Sequence, residues 1–247
     1  TTENIKWGKS ASETLQITKN LNHQWGFTVD EANAMNEEMA ELSVILGTDV
    51  KATTDLYGMF KQIGGASDEY AKNLIKSTFL LSEQAGIIPD IVMEDLANHA
   101  ELFARNSRDG GVAMTNTAIA VRKLGLSLSV IESQQSSLLD FSSSITKEYQ
   151  AEAVIGRDLE LQTARMLYAA GKTDEAFEHI VKEVGSLAEL QELGYFGQLL
   201  LAEATGFTVE QMMKAASEAE KLNESVDDIT QMSIDELIGE DAVTNLN

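Results

Sequence analysis

Cysteine is absent from this chain, and proline occurs once in 247 residues. Without thiols there is no disulfide framework and no cysteine-ligated zinc, a composition that fits synthesis in a reducing compartment. One proline and 6% aromatic residues, beside abundant Ala, Leu, Glu and Ser, favour helix over strand. No segment sustains the period-two alternation of a half-buried strand, so no sheet is expected. No run approaches about 18 consecutive apolar residues, which excludes a membrane-spanning helix. Basic residues are scarce as well: 18 Lys and Arg against 40 Asp and Glu give a net charge of −22. Such a surface repels phosphate backbones and anionic lipid, so general nucleic-acid or membrane-surface binding is not expected. The chain opens Thr1-Thr2-Glu3, with neither Met nor a basic, apolar signal segment, as a piece of a longer protein would.

What the chain does have is hydrophobic content of 43%, a mean hydropathy of −0.14 and regular glycine punctuation. Apolar-periodic runs end at Gly26-Phe27-Thr28, Gly47-Thr48-Asp49, Gly64-Gly65-Ala66-Ser67, Gly171-Lys172-Thr173 and Gly206-Phe207-Thr208. Glycine reaches the left-handed conformation that closes a helix, and Ser, Thr or Asp then satisfies orphan N–H groups of the next one. The expected fold is all-α: many short antiparallel helices, 9 to 13 of them, joined by glycine turns, with no sheet. Met35, Met39, Leu42 and Leu46 form one amphipathic stripe, and Leu74, Ile75, Thr78, Leu81 and Ala85 another after the Ser67-Asp68-Glu69 start. Pro89 sits where proline suits a first helical turn, and Ile91, Leu96, Ala100 and Phe103 run on from it.

The longest expected helix covers 128–155, with Ile131, Leu138, Phe141, Ile145 and Tyr149 on its apolar stripe. At 1.5 Å per residue it would span roughly 40 Å and act as a central spine. The expected core is Leu42, Leu46, Leu74, Leu81, Leu96, Phe103, Leu138, Phe141, Ile145, Leu161, Leu167, Phe177 and Leu200. Gly26-Phe27-Thr28-Val29 and Gly206-Phe207-Thr208-Val209 repeat one capping solution, with a threonine N-cap and a phenylalanine as hydrophobic staple. From Ser217 on there are nine acidic residues, one lysine and no aromatic. The organisation read from these features is an N-terminal helical segment over 1–25, a helical domain over 26–216 and an acidic, partly mobile tail over 217–247.

Catalytic signatures are missing in each place where they begin. Gly171-Lys172-Thr173 ends like a phosphate-binding loop, but the glycine required five residues earlier is Met166, and a helix precedes it instead of a strand. It reads as the turn of a helix hairpin. His23, His99 and His179 are far apart, and none belongs to a His-Glu-x-x-His or Glu-x-x-His motif. Asp95 and His99, one turn apart with Glu94 and Glu101 nearby, read as a carboxylate–imidazole pair on an exposed helical face. The serines from Ser133 to Ser144 lack a nucleophile elbow and read as a polar helix face. Met212-Met213 reads as core filling. No catalytic, cofactor-binding or metal-ligating residue is therefore assigned, and no enzyme activity is expected.

Five segments, in order, carry a resemblance. They are Glu83-Gln84-Ala85-Gly86-Ile87-Ile88-Pro89-Asp90-Ile91-Val92, Leu96-Ala97-Asn98-His99-Ala100-Glu101 and Leu139-Asp140-Phe141-Ser142-Ser143-Ser144-Ile145. Asp158-Leu159-Glu160-Leu161-Gln162-Thr163-Ala164-Arg165 and Leu201-Ala202-Glu203-Ala204-Thr205-Gly206 follow. Together, over roughly 40–215, they resemble the helical, glycine-punctuated region of tail tape-measure proteins of contractile-tailed phages. The resemblance implies a virion protein of the phage tail, made in the host cytoplasm, that sets tail length during assembly. It implies no cofactor, and as partners the tail-tube protein, a baseplate hub, a tail assembly chaperone and further copies in a homo-oligomer of the parent protein. Even fully helical, the chain would span only about 370 Å, so this piece would be a compact domain and not the extended ruler. A second reading is a helical-repeat-like protein-binding scaffold, because Tyr168-Ala169-Ala170-Gly171-Lys172-Thr173-Asp174-Glu175-Ala176 resembles the turn of a tetratricopeptide pair. No 34-residue period carries through the chain.

Overall fold

The structure is a computed structural model, and it describes residues 11–107 and 109–222. It is 80% helical, with 14 α-helices and no strand among the described residues, one helix more than the expected range. The chain divides into two compact units, which split the expected 26–216 domain after Val112. Residues 11–25 pack within the first unit and do not stand apart as a separate segment.

The first unit holds α1 (Ala11–Lys19), a π-helical turn (Asn20–Gln24), α2 (Val29–Leu46), α3 (Val50–Gln62), α4 (Asp68–Gln84), α5 (Pro89–Asn98) and α6 (Ala100–Asn106). Its centre is α3, which packs against α1, α2, α4 and α5 and is buried at every position from Ala52 to Phe60. Burial this complete needs somewhere to put polar side chains. Thr54 returns its hydroxyl to Val50 O at 2.6 Å, and Thr53 bonds Thr48 at 2.9 Å. Gly58 leaves room for the Trp25 indole, whose nearest ring atom would lie 2.3 Å from a Cβ at that position. Phe103 and Phe60 close the core with ring centroids 5.5 Å apart.

The second unit holds α7 (Val112–Lys123, from Ala113 on), α8 (Ser129–Leu138), α9 (Phe141–Ile155), α10 (Leu161–Ala169), α11 (Thr173–Val184), α12 (Leu187–Glu192), α13 (Gly194–Thr205) and α14 (Val209–Leu222). Here α13 is the hub, touching α8, α9, α11, α12 and α14. It runs antiparallel to α9: a Cβ on Gly197 would lie 3.9 Å from Ile155, while Glu203 and Gly206 share a cleft with Asp140 and Ser143. The expected acidic tail is helical through Leu222 as the end of α14, and 223–247 lie outside the described residues.

Several helix ends follow the sequence. Thr28 and Glu31 exchange the two bonds of a capping box, as do Thr208 and Gln211. Ser67 caps α4, and Pro89 is the first residue of α5. Phe27 stacks on Tyr57 and Phe207 meets Phe177 edge-on, so each staple residue closes onto a different helix of its own unit.

Two corrections concern the middle of the chain. The expected 128–155 helix is broken at Leu139–Asp140. Asp140 leaves helical geometry (φ −78°, ψ 79°), and its carboxylate accepts from the Ser143 N–H at 3.4 Å. An aspartate with serines following it competes for backbone groups and starts a helix more readily than it continues one. The restart rotates the buried face. Ser144, Glu148 and Ala151 turn inward, while Phe141 is 49% and Ile145 38% exposed, so neither is a core residue. Leu46, Leu167 and Leu200 are half-buried, and Leu201 takes the fully buried position beside Leu200. The helix from Pro89 is likewise interrupted, at His99.

Candidate functional site

Lys147 on α9 and the serine face of α8 meet in the second unit. Ser133, Ser136, Ser137, Asp140, Ser143, Lys147, Glu203, Gly206 and Phe207 line an open polar cleft of about 410 Å³. Lys147 Nζ reaches Ser137 Oγ at 3.5 Å, and Ser133 Oγ donates to Gly206 O at 3.0 Å. Gly206 (φ +74°) is required here, since a Cβ would come within 2.8 Å of Gln134 Cα. The cleft gathers hydroxyls, two carboxylates (Asp140 and Glu203) and one ammonium. Its serines belong to the expected polar face, yet the break at Asp140 is what folds that face into a concavity.

Behind α9 lies a buried ion pair that the sequence reading missed. Arg165, 1% exposed, donates from Nη2 to Glu148 Oε2 and from Nε to Ser144 Oγ at 2.9 Å. Glu148 Oε1 also accepts from the Leu161 N–H at 3.0 Å, and Glu152 from the Leu159 N–H at 2.9 Å. Both carboxylates thus sit at the start of α10, where free N–H groups and the helix dipole favour negative charge. The available signal was the four-residue spacing of Ser144, Glu148 and Glu152, which puts three polar side chains in line on one face of α9. Deeper in, Tyr168 donates to Gln134 Oε1 at 2.6 Å, and burial raises its phenol well above the usual tyrosine range.

The motif fragments resolve into structural parts. Gly171-Lys172-Thr173 is the α10–α11 turn, with Gly171 at φ +78° and Lys172 N–H bonded to Leu167 O at 3.0 Å. The Thr173 hydroxyl is buried 3.1 Å from that of Thr117, and Lys172 pairs with Glu175 at 2.6 Å. His99 and Asp95 are not on an exposed face: Asp95 is 4% exposed, and His99 Nδ1 lies 2.7 Å from Asp95 O, closing the end of α5. His179 Nε2 meets Glu160 O at 2.7 Å, and His23 lies within the π-helical turn, so the three imidazoles share no site. Among the described residues no group of three His, Asp or Glu is placed to hold a metal ion, and no helix is long and apolar enough to cross a membrane. Met212 is fully buried and Met213 half-buried.

One surface stands out by what it lacks. The exposed positions of α9 are Phe141, Ser142, Ile145, Thr146, Tyr149, Gln150, Ala153 and Val154, none of them charged. Those of α10, namely Gln162, Thr163, Met166 and Ala169, are uncharged too. Every other α-helix with exposed described residues shows at least one Asp, Glu, Lys or Arg there.

Fold and site together define a class, an all-α protein built of two glycine-punctuated helical units, and no particular chemistry. The chain matches no known protein family, and no curated protein and no solved structure is similar to it.

Proposed function

We propose that this chain is a structural protein of a phage virion, a compact helical domain of a tail tape-measure protein that takes part in tail assembly and length control. The observation that supports the reading is where the five resembling segments fall. Residues 83–92 span the α4–α5 turn, 96–101 the α5–α6 junction, 139–145 the α8–α9 break, 158–165 the start of α10 and 201–206 the end of α13. They are the parts of the sequence that start and stop helices, and so the likeness is one of helical architecture. On this reading the chain is not an enzyme, it holds no cofactor, and its partners are the tail-tube protein, a baseplate hub, an assembly chaperone and other copies of the parent.

Cross-linking and mass spectrometry of intact tails tests the proposal. The expected result is recovery of this chain in purified tails, cross-linked to tube or hub proteins. Its absence from purified tails, or its recovery bound to a short host peptide, would favour the helical-repeat-like scaffold. The antiparallel α10–α11 pair, with Tyr168 and Ala176 buried, is the feature that supports that second reading.

A further inference from the structure

We infer that the exposed face of α9 is a contact between two copies of this chain. The inference stands apart from the virion reading, because it rests on the surface of α9 alone. Phe141, Ile145, Tyr149 and Ala153 recur every four residues, and Ser142, Thr146, Gln150 and Val154 form the adjoining row. Phe141 is 49%, Tyr149 67% and Val154 46% exposed. With a quarter to a third of an ordinary surface charged, eight exposed positions should carry about two or three charges. In a chain of net charge −22 this face carries none.

That neutrality selects the occupant. Two copies of so acidic a chain repel each other wherever carboxylates meet, and they approach without that cost where both faces are uncharged. A basic partner finds no carboxylate among these eight positions to pair with. The shape agrees. Rows of side chains four residues apart form a ridge, and the commonest helix packing sets such a ridge into the groove beside an identical one. A surface that matches itself makes an isologous contact. The two aromatic rings leave roughly 200–250 Å² open on each copy, taking about 200 Å² for a whole ring. With the smaller side chains the contact stays in the low range of interface sizes, below about 1,200 Å² in total, so the association is weak and concentration-dependent.

Sedimentation equilibrium of the 247-residue chain tests this, at low and at high NaCl and at concentrations up to roughly 1 mM, where a contact of this size is populated. The expected result is a reversible dimer that tightens severalfold at high salt, because screening removes the mutual repulsion and leaves the apolar contact intact. Tyr149→Glu should weaken the dimer at least tenfold. Val44→Glu, at an exposed position of α2, should leave the tightening intact and shift the constant by no more than its added charge does. Circular dichroism checks that both variants fold; if Tyr149→Glu does not, Ile145→Gln adds no charge and takes its place. A monomer throughout at both salt concentrations, a dimer that loosens as salt rises, or a dimer indifferent to Tyr149→Glu and Ile145→Gln would each overturn the inference.

Discussion

The two units bury charge in different ways. In the first, Asp55 is 1% exposed and accepts from Trp25 Nε1 at 3.1 Å, while the Lys51 ammonium reaches it at 2.7 Å from a side chain that is 52% exposed. The counter-charge stays in solvent and lends one end. In the second, Arg165 and Glu148 are both enclosed, at 1% and 10% side-chain exposure, and satisfy each other together with Ser144 and the start of α10. In the open arrangement solvent can take the place of the lost cation, whereas the closed one strands a charge when either member goes.

The largest expected effect follows from that difference. Arg165→Leu should cost about 3–5 kcal/mol, because Glu148 is left buried without a cation. Lys51→Ala should cost less, about 1–3 kcal/mol, since the lost ammonium was half in water and solvent can take its place beside the buried Asp55. Denaturant titration of both variants measures the gap, and equal costs would erase the distinction between the units.

A second pair contrasts an expected core residue that is buried with one that is not. Phe103→Ala, at 0% exposure and ring-packed on Phe60, should cost roughly 3–5 kcal/mol. Phe141→Ala, at 49% exposure, should cost less than about 1 kcal/mol in the monomer, read by the same titration.

Each unit also carries a glycine inside its central helix, and these should respond unequally. Replacing a helix-interior glycine by alanine ordinarily gains about 0.5–1 kcal/mol. At Gly197 the nearest atom to a new Cβ is Leu193 Cβ at 3.0 Å, so Gly197→Ala should stay within about 1 kcal/mol of neutral. At Gly58 the Cβ would enter the Trp25 ring, so Gly58→Ala should lose about 2–3 kcal/mol by overpacking. Thermal melts of the two variants would sharpen the comparison by ordering them.

The smallest effect lies at alkaline pH and is shared. Burial raises the phenol of Tyr168, and burial followed by the Asp68 hydrogen bond raises that of Tyr57. A raised folded pKa means stability is full below the unfolded tyrosine value of about 10 and is lost as pH rises through the folded value. Stability should therefore decline above pH ~10 in both units, and Tyr168→Phe should reduce the decline in the second. That substitution also removes the bond to Gln134, at a cost of about 1–2 kcal/mol at neutral pH. Urea midpoints between pH 8 and 11 would report both effects.

The all-α fold, several helix ends and the hairpin at Gly171-Lys172-Thr173 were legible because their causes are local. A glycine at positive φ, a threonine that accepts from an N–H three residues on, and a stripe of leucines act within one or two turns. The break at Asp140 was local too, but it was masked by apolar residues that continued the heptad-like spacing across it. Once α9 restarts, its phase is set by α13 and by the Arg165–Glu148 pair, and the same Phe141 and Ile145 that read as core are carried outward.

The sequence by itself determined the helical class, the capping of several helices and the acidic surface, since propensity, caps and net charge depend on residue type and near neighbours. Only the tertiary structure decided the division after Val112, the enclosure of Arg165 with Glu148, the polar cleft and the uncharged face of α9. Each of these depends on which side of a helix meets another helix far along the chain, and apolar spacing leaves that choice open wherever polar residues can find buried partners.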